Sequence, residues 1–157
     1  MVLSEGTSSE EIFQLIQDWR VTVVAAVVPL IAAWMNSDEP ERHDLSSLKV
    51  VQNGGARLAP ELRQRLMDRL HCVPQEIYGT AEGLINMTRL DDPEDLLLES
   101  SGAPVSDDDE IRVVDDQGHD VPDGQQEWIA LNKELAAGWK PLIGRKPAPE
   151  DADKWAK

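Results

Sequence analysis

The sequence has 157 residues, of which 41% are apolar. That is enough for one packed domain and more than a disordered chain carries. Thirty acidic side chains against fifteen basic ones give a net charge of −15, which argues against a general nucleic-acid binder and against docking on anionic lipid. The one cysteine, Cys72, excludes an internal disulfide framework and a thiolate-ligated cluster, and points to a reducing, cytoplasmic setting. No cationic stretch followed by an apolar one opens the chain, so secretion is not expected. The apolar run over 21–35 is short of the ~20 residues a membrane span needs, and Pro29 divides it.

The first eight residues are polar and read as a frayed end. Ser8 and Glu11 have capping-box spacing, and Ile12, Leu15, Ile16 and Trp19 then repeat on one helical face. The β-branched run over 21–28 predicts a strand buried on both faces, and Pro29 suits the first turn of a short helix ending at Met35. Residues 37–46 read as a polar loop. A second strand is expected over 48–52, stopped by Gly54 and Gly55. Pro60 opens a helix with Leu62, Leu66 and Leu70 as its apolar positions. A third strand is expected over 73–78, a loop over 79–83 and a fourth strand over 84–90.

This β-α-β-α-β order predicts an α/β fold, a short and mostly parallel sheet flanked by helices. Ligands in such sheets sit beyond the carboxyl ends of the strands, and both glycine-bearing loops fall there. Residues 91–123 are dense in acids, with Arg112 the one base, and read as a solvated surface. Within them 110–114 alternates like an edge strand, and Asp116, Gln117 and Gly118 suit a turn. Asp107, Asp108 and Asp109 lack the glycine and spacing of a calcium loop. Trp128, Leu131, Leu135 and Trp139 predict a helical stripe, ended by Gly138 and Pro141. Residues 140–157 are Pro-rich and read as an extended arm. His43, His71 and His119 show no metal-ligand spacing.

Two motifs in order carry a resemblance. The first is Val51-Gln52-Asn53-Gly54-Gly55-Ala56-Arg57-Leu58; the second runs Ile77-Tyr78-Gly79-Thr80-Ala81-Glu82-Gly83-Leu84-Ile85-Asn86-Met87-Thr88-Arg89-Leu90-Asp91-Asp92. Together they resemble the acyl-adenylate-forming enzymes, in the branch of aryl-acid–AMP ligases acting on 2,3-dihydroxybenzoate or salicylate in siderophore synthesis. The resemblance spans roughly residues 10–124. It implies ATP and Mg²⁺ as cofactors and an aryl carboxylate as substrate, joined to AMP with release of pyrophosphate. It implies nucleotide contacts at Gly54, Gly55, Ala56, Tyr78, Gly79 and Thr80, aryl-acid contacts at Gly83 and Ile85, and a Mg²⁺ carboxylate at Glu82. These residue types suit that chemistry. Glycines let a flat ring lie on bare backbone, a carboxylate holds the metal that neutralises a departing pyrophosphate, and an apolar wall suits an aromatic ring.

Taken singly, the same residues have plainer readings. Gly54 and Gly55 make a tight turn, Tyr78 and Ile85 fit a core, and Glu82 suits a solvated loop. Ala81 stands where many members have Thr or Ser, with the hydroxyl one residue earlier at Thr80. Nothing in the sequence resembles the family's phosphate loop with its lysine, its ribose-binding aspartate or its C-terminal domain with a catalytic lysine. A poor catalyst or none is therefore expected of this chain, whether it acts as an enzyme is left open, and no catalytic residue is assigned.

A second resemblance covers residues 121–155, which are similar to the C-terminal tail of bacterial seven-iron ferredoxins. One cysteine cannot ligate a cluster, so no iron–sulfur cofactor is expected. The expected organisation is a partial adenylation subdomain over 1–124 and a helical arm over 125–157. This is a chimera-like join, in which the 125–139 helix is available for self-association. The alternative is a catalytically inert chimeric or designed α/β scaffold with a self-packing or partner-binding C-terminal helix.

Overall fold

Helix α1 (Ser9–Trp19) starts at the expected cap, where Ser8 Oγ accepts from the Glu11 amide at 3.2 Å. The reciprocal half of the box differs: the Glu11 carboxylate accepts from Ser4 Oγ and from the amides of Glu5 and Gly6. Three hydrogen bonds, one from a hydroxyl and two from backbone amides, thus tie residues 4–6 to the helix. Ile12, Phe13 and Ile16 are buried, whereas Trp19 is 67% exposed. The apolar stripe therefore stops one turn earlier than its spacing suggests. The structure, a computed structural model, describes residues 1–80, 83–109, 111–115, 117, 119–121 and the backbone of 128–130.

Strand β1 (Val23–Ala26) leads into α2 (Val28–Met35), with Pro29 in its first turn. A 3₁₀ turn over Glu39–Arg42 lies inside the expected polar loop. Strand β2 (Val50–Gly54), α3 (Pro60–Leu70) and β3 (Val73–Gly79) follow. Then come β4 (Ile85–Met87), α4 (Glu94–Glu99) and β5 (Ala103–Pro104). The five strands form one sheet in the order β1-β2-β3-β4-β5. β1, β2 and β3 are parallel, β4 runs antiparallel to β3 and β5 antiparallel to β4; a short connection joins β3 to β4 where a parallel neighbour would need a crossover.

Both parallel crossovers run the same way across the sheet, so the right-handed rule places α2 and α3 on one face. One core results. Ile12, Phe13 and Ile16 of α1, Ile31, Trp34 and Met35 of α2, and Leu66 and Leu70 of α3 close over Ala26 and Val51. The Phe13 and Trp34 rings pack at 5.4 Å with a 52° tilt. Arg69 of α3 donates to the carbonyls of Met35 and Ser37, and Arg65 also reaches the Met35 carbonyl. The orphan acceptors at the end of α2 are satisfied in this way.

The expectation that the 21–28 run is buried on both faces is corrected. β1 is an edge strand, and Val23 and Val27 are 47% and 58% exposed while Ala26 is buried. Alternation puts every second side chain of β1 away from the helices. Helix α4, inside the acidic stretch, was not expected. Pro93 precedes it, Glu94 and Asp95 occupy its first turn, and Leu97 is buried, a pattern that suits a helix start.

The chain falls into two compact units, Met1–Val105 and Ser106–Lys157. In the second, β6 (Arg112–Val114) pairs antiparallel with β7 (Trp128–Ala130), Val113 opposite Ile129. Of the edge strand expected over 110–114, residues 112–114 are in β6, Ile111 precedes the strand and Glu110 lies outside the described residues. Asp115 Oδ1 accepts from the amides of Gln117 and His119, consistent with a turn; Asp116 and Gly118 lie outside the described residues. The helical stripe expected over Trp128, Leu131, Leu135 and Trp139 is corrected at its first residues, 128–130; the rest of it lies outside the described residues. The backbone of residues 128–130 is extended and takes its hydrogen bonds from β6 instead of from a helical turn. Residues 131–157, including the extended arm, lie outside the described residues.

Candidate nucleotide site

Parallel β2 and β3 place Gly54 directly opposite Ile77. The segments that follow Gly54 and Gly79 therefore leave neighbouring strands at one rim of the sheet. A Cβ on Gly54 would stand 3.5 Å from the Ile77 carbonyl oxygen and 3.8 Å from Ile77 Cβ. Gly55 has φ +83°, and nothing lies within 4 Å of where its Cβ would be. Bare, exposed backbone at Gly55 and Ala56 is what a flat ring can lie against.

The second segment links β3 to β4. Gly79 faces Ile85 across the β3–β4 pair and Tyr78 faces Asn86. The Thr80 amide donates to the Leu84 carbonyl at 2.9 Å, and the Gly83 amide donates to the Thr80 carbonyl at 3.1 Å. Thr80 Oγ1 is buried and has no hydrogen-bond partner among the described residues, which leaves a hydroxyl donor uncommitted. Ile85 is 44% exposed, so the reading of Ile85 as a core residue is set aside. Ala81 and Glu82 lie outside the described residues. Among the described residues no group of three His, Cys, Asp or Glu side chains is placed to hold a metal ion, and no helix is long and apolar enough to cross a membrane.

Beneath the first loop lies a buried polar network that the sequence reading missed. Asn53 Nδ2 donates to the Ala56 carbonyl at 2.9 Å and to Glu76 Oε2 at 2.8 Å. The same Glu76 oxygen lies 2.9 Å from Arg63 Nη2, an ion pair whose side chains are only 4% and 1% exposed. That approach lacks hydrogen-bond alignment. The well-directed bonds of Arg63 run from Nε to the Leu58 carbonyl and from Nη1 to the carbonyls of Leu97 and Ser100. Burial pushes the Arg63 guanidinium below its usual pKa, with Glu76 opposing the shift. A signal was present in the sequence. Arg63 falls three residues before Leu66 and seven before Leu70, on the buried stripe of α3.

A groove of about 400 Å³ opens at the carboxyl ends of β1 to β3. It is lined by Ala25, Val27, Leu30, Gln52, Gly54 and Ile77, among others. Of the residues assigned to the site, Gly54 alone lines it. Gly55, Ala56, Tyr78, Gly79, Thr80, Gly83 and Ile85 stand outside it.

Residues 1–127 match the family model described as AMP-binding enzyme. The chain belongs to the AMP-binding enzyme family. Among curated AMP-binding relatives, the 2,3-dihydroxybenzoate-AMP ligase of Bacillus subtilis is 44% identical over 125 residues, 80% of this chain and 23% of that protein. Pyochelin synthase PchD of Pseudomonas aeruginosa is 46% identical over 125 residues, again 80% and 23%. The solved apo structure of Mycobacterium smegmatis MbtA superposes with a TM-score of 0.72 at 35% identity, covering 81% of this chain and 23% of that one. The chain thus spans about a quarter of the length of the AMP-binding relatives it matches. Residues 126–157 match a different family model, a domain of unknown function (DUF3470).

Proposed function

We propose that this chain carries part of the nucleotide and aryl-acid site of an ATP-dependent aryl-acid–AMP ligase of the siderophore type. The observation that supports this most is the shared rim. Gly54 stands opposite Ile77, so the two motif segments, 23 residues apart in this register, begin side by side. In this reading Gly54, Gly55 and Ala56 offer backbone to the adenine, and Tyr78, Gly79 and Thr80 border the nucleotide from the next strand. Glu82 supplies the carboxylate toward Mg²⁺, and Gly83 and Ile85 border the aryl ring. When bound, Mg²⁺ neutralises charge on the pyrophosphate leaving group. The residues of this chain bind and orient, and transition-state charge needs further groups acting together. Binding is the activity proposed for these residues.

Calorimetry of the full chain with ATP, Mg²⁺ and 2,3-dihydroxybenzoate tests this reading. Heat from the wild type that is lost in Glu82→Gln is expected. No heat from the wild type, or an unchanged signal in the variant, overturns the site.

A second reading is a chain that joins an adenylation fragment to an unrelated segment and binds nothing. The change of family model at residues 126–127 favours it. It predicts cooperative unfolding whose midpoint ATP leaves unmoved, whereas a bound ligand raises that midpoint by mass action.

A further inference from the structure

We propose that Asn53, Glu76 and Arg63 are positioning residues that hold the 54–58 loop in the shape that receives the nucleotide; the inference rests on the nucleotide reading above. Three bonds of the network end on loop backbone. Asn53 Nδ2 reaches the Ala56 carbonyl, Glu76 Oε2 accepts from the Leu58 amide at 3.4 Å, and Arg63 Nε donates to the Leu58 carbonyl at 2.8 Å. The other ends are anchored in fixed elements. The Glu76 amide donates to Thr88 Oγ1 at 2.9 Å, and Arg63 Nη1 donates to Leu97 and Ser100 at the end of α4. Arg57 adds a tether from the loop itself, donating to the Glu99 carbonyl at 2.7 Å.

Stability alone is a poor reason for such a set. Well-packed apolar residues in place of a buried ion pair are often neutral or stabilising. The retained charges instead connect β3, α3 and α4 to an exposed glycine turn that has no packing of its own at Gly55. Binding groups held by buried partners are more precise than groups left on a free loop.

The test uses the full chain labelled with ¹⁵N and two variants. Asn53→Ala removes the strut and leaves the ion pair. Arg63→Met with Glu76→Leu removes both charges together, so that neither ion is left buried alone. Backbone order parameters are measured by relaxation, and ATP with Mg²⁺ is titrated in the same samples. In both variants the values at Gly55 and Ala56 are expected to fall from about 0.85 toward about 0.6, with Leu66 of α3 unchanged. The dissociation constant for ATP in Asn53→Ala is expected to rise about tenfold, as for other supporting contacts. Unchanged order at Gly55 and Ala56 in variants whose thermal midpoint falls would show a packing role and overturn the proposal. Loosened loops in a protein whose wild type does not bind ATP would support the positioning role and overturn the nucleotide reading instead.

Discussion

Gly54 and its neighbour Gly55 differ in what the backbone demands of them. Gly54 ends β2 in extended register with Ile77, and a methyl group there meets Ile77 only at ordinary contact distance. Gly55 sits at φ +83°, with open space around it. Gly54→Ala is therefore expected to change stability by less than about 0.5 kcal/mol. Gly55→Ala has room for its methyl but not the conformation, and is expected to cost about 1–2 kcal/mol. Urea unfolding of both variants decides it. Equal losses at the two positions would show that strain at Gly55 is not the cause.

The Arg63–Glu76 pair gives a second contrast. Glu76→Ala leaves a guanidinium buried at 1% exposure without its counter-ion. Removing one partner of a buried pair costs about 3–5 kcal/mol. Arg63→Met combined with Glu76→Leu leaves no unpaired charge but strips the Leu58, Leu97 and Ser100 carbonyls of their donor, and is expected to recover only part of that loss. The check is the urea midpoint of the two variants; a double variant as unstable as the single one contradicts it.

Much of the fold was legible because its signals are local. Ser8 capped α1, Pro29 and Pro60 opened α2 and α3, and Gly54 closed β2, each by backbone chemistry that needs no partner. What was misread depends on who packs against whom. The valines of β1 look fully buried until the strand proves to be an edge. Trp128 looks helical until β6 offers a partner. The shared rim of Gly54 and Gly79 followed from the β-α-β-α-β order alone. The Asn53–Glu76–Arg63 network did not, because charged residues are read as surface by default. Only the register that sets Asn53 opposite Glu76 brings them together.

Glu11 links the N-terminal residues to α1 and carries a pH prediction. Hydrogen bonds from Ser4 and from the Gly6 amide hold its carboxyl below the ordinary value of 4.5. A depressed folded-state pKa stabilises above the unfolded value and is lost as pH falls through the folded one. Glu11→Gln is expected to lower the unfolding midpoint at neutral pH and to converge with the wild type in acid. Parallel midpoint curves across that range would rule out the ionised form as the source.

Cys72 has the opposite sign. Burial pushes its thiol from 9.0 up to about 12, so the folded chain keeps the proton that the unfolded chain loses. The stabilisation is complete below about pH 9 and is lost as pH rises toward 12. The native thiol is expected to resist iodoacetamide at pH 8 and to react at once in urea, since the thiolate is the nucleophile. A mass shift of one adduct in the native protein within minutes would contradict the burial.

The two sides of the sheet predict a last difference. Val51 is fully buried beneath the helices, whereas Val27, beyond the end of β1, is 58% exposed. Threonine has nearly the shape of valine and adds one hydroxyl. At Val51 that hydroxyl enters an apolar core of Phe13, Ile16, Trp34 and Leu66, and an unpaired hydroxyl there costs about 1–3 kcal/mol. At Val27 water satisfies it, so Val27→Thr is expected to fall within about 0.5 kcal/mol of the wild type. Urea unfolding of the two variants separates the faces. A loss at Val27 as large as that at Val51 would mean that the outer side of β1 is covered in solution, and a concentration-dependent midpoint would then identify a second copy as the cover.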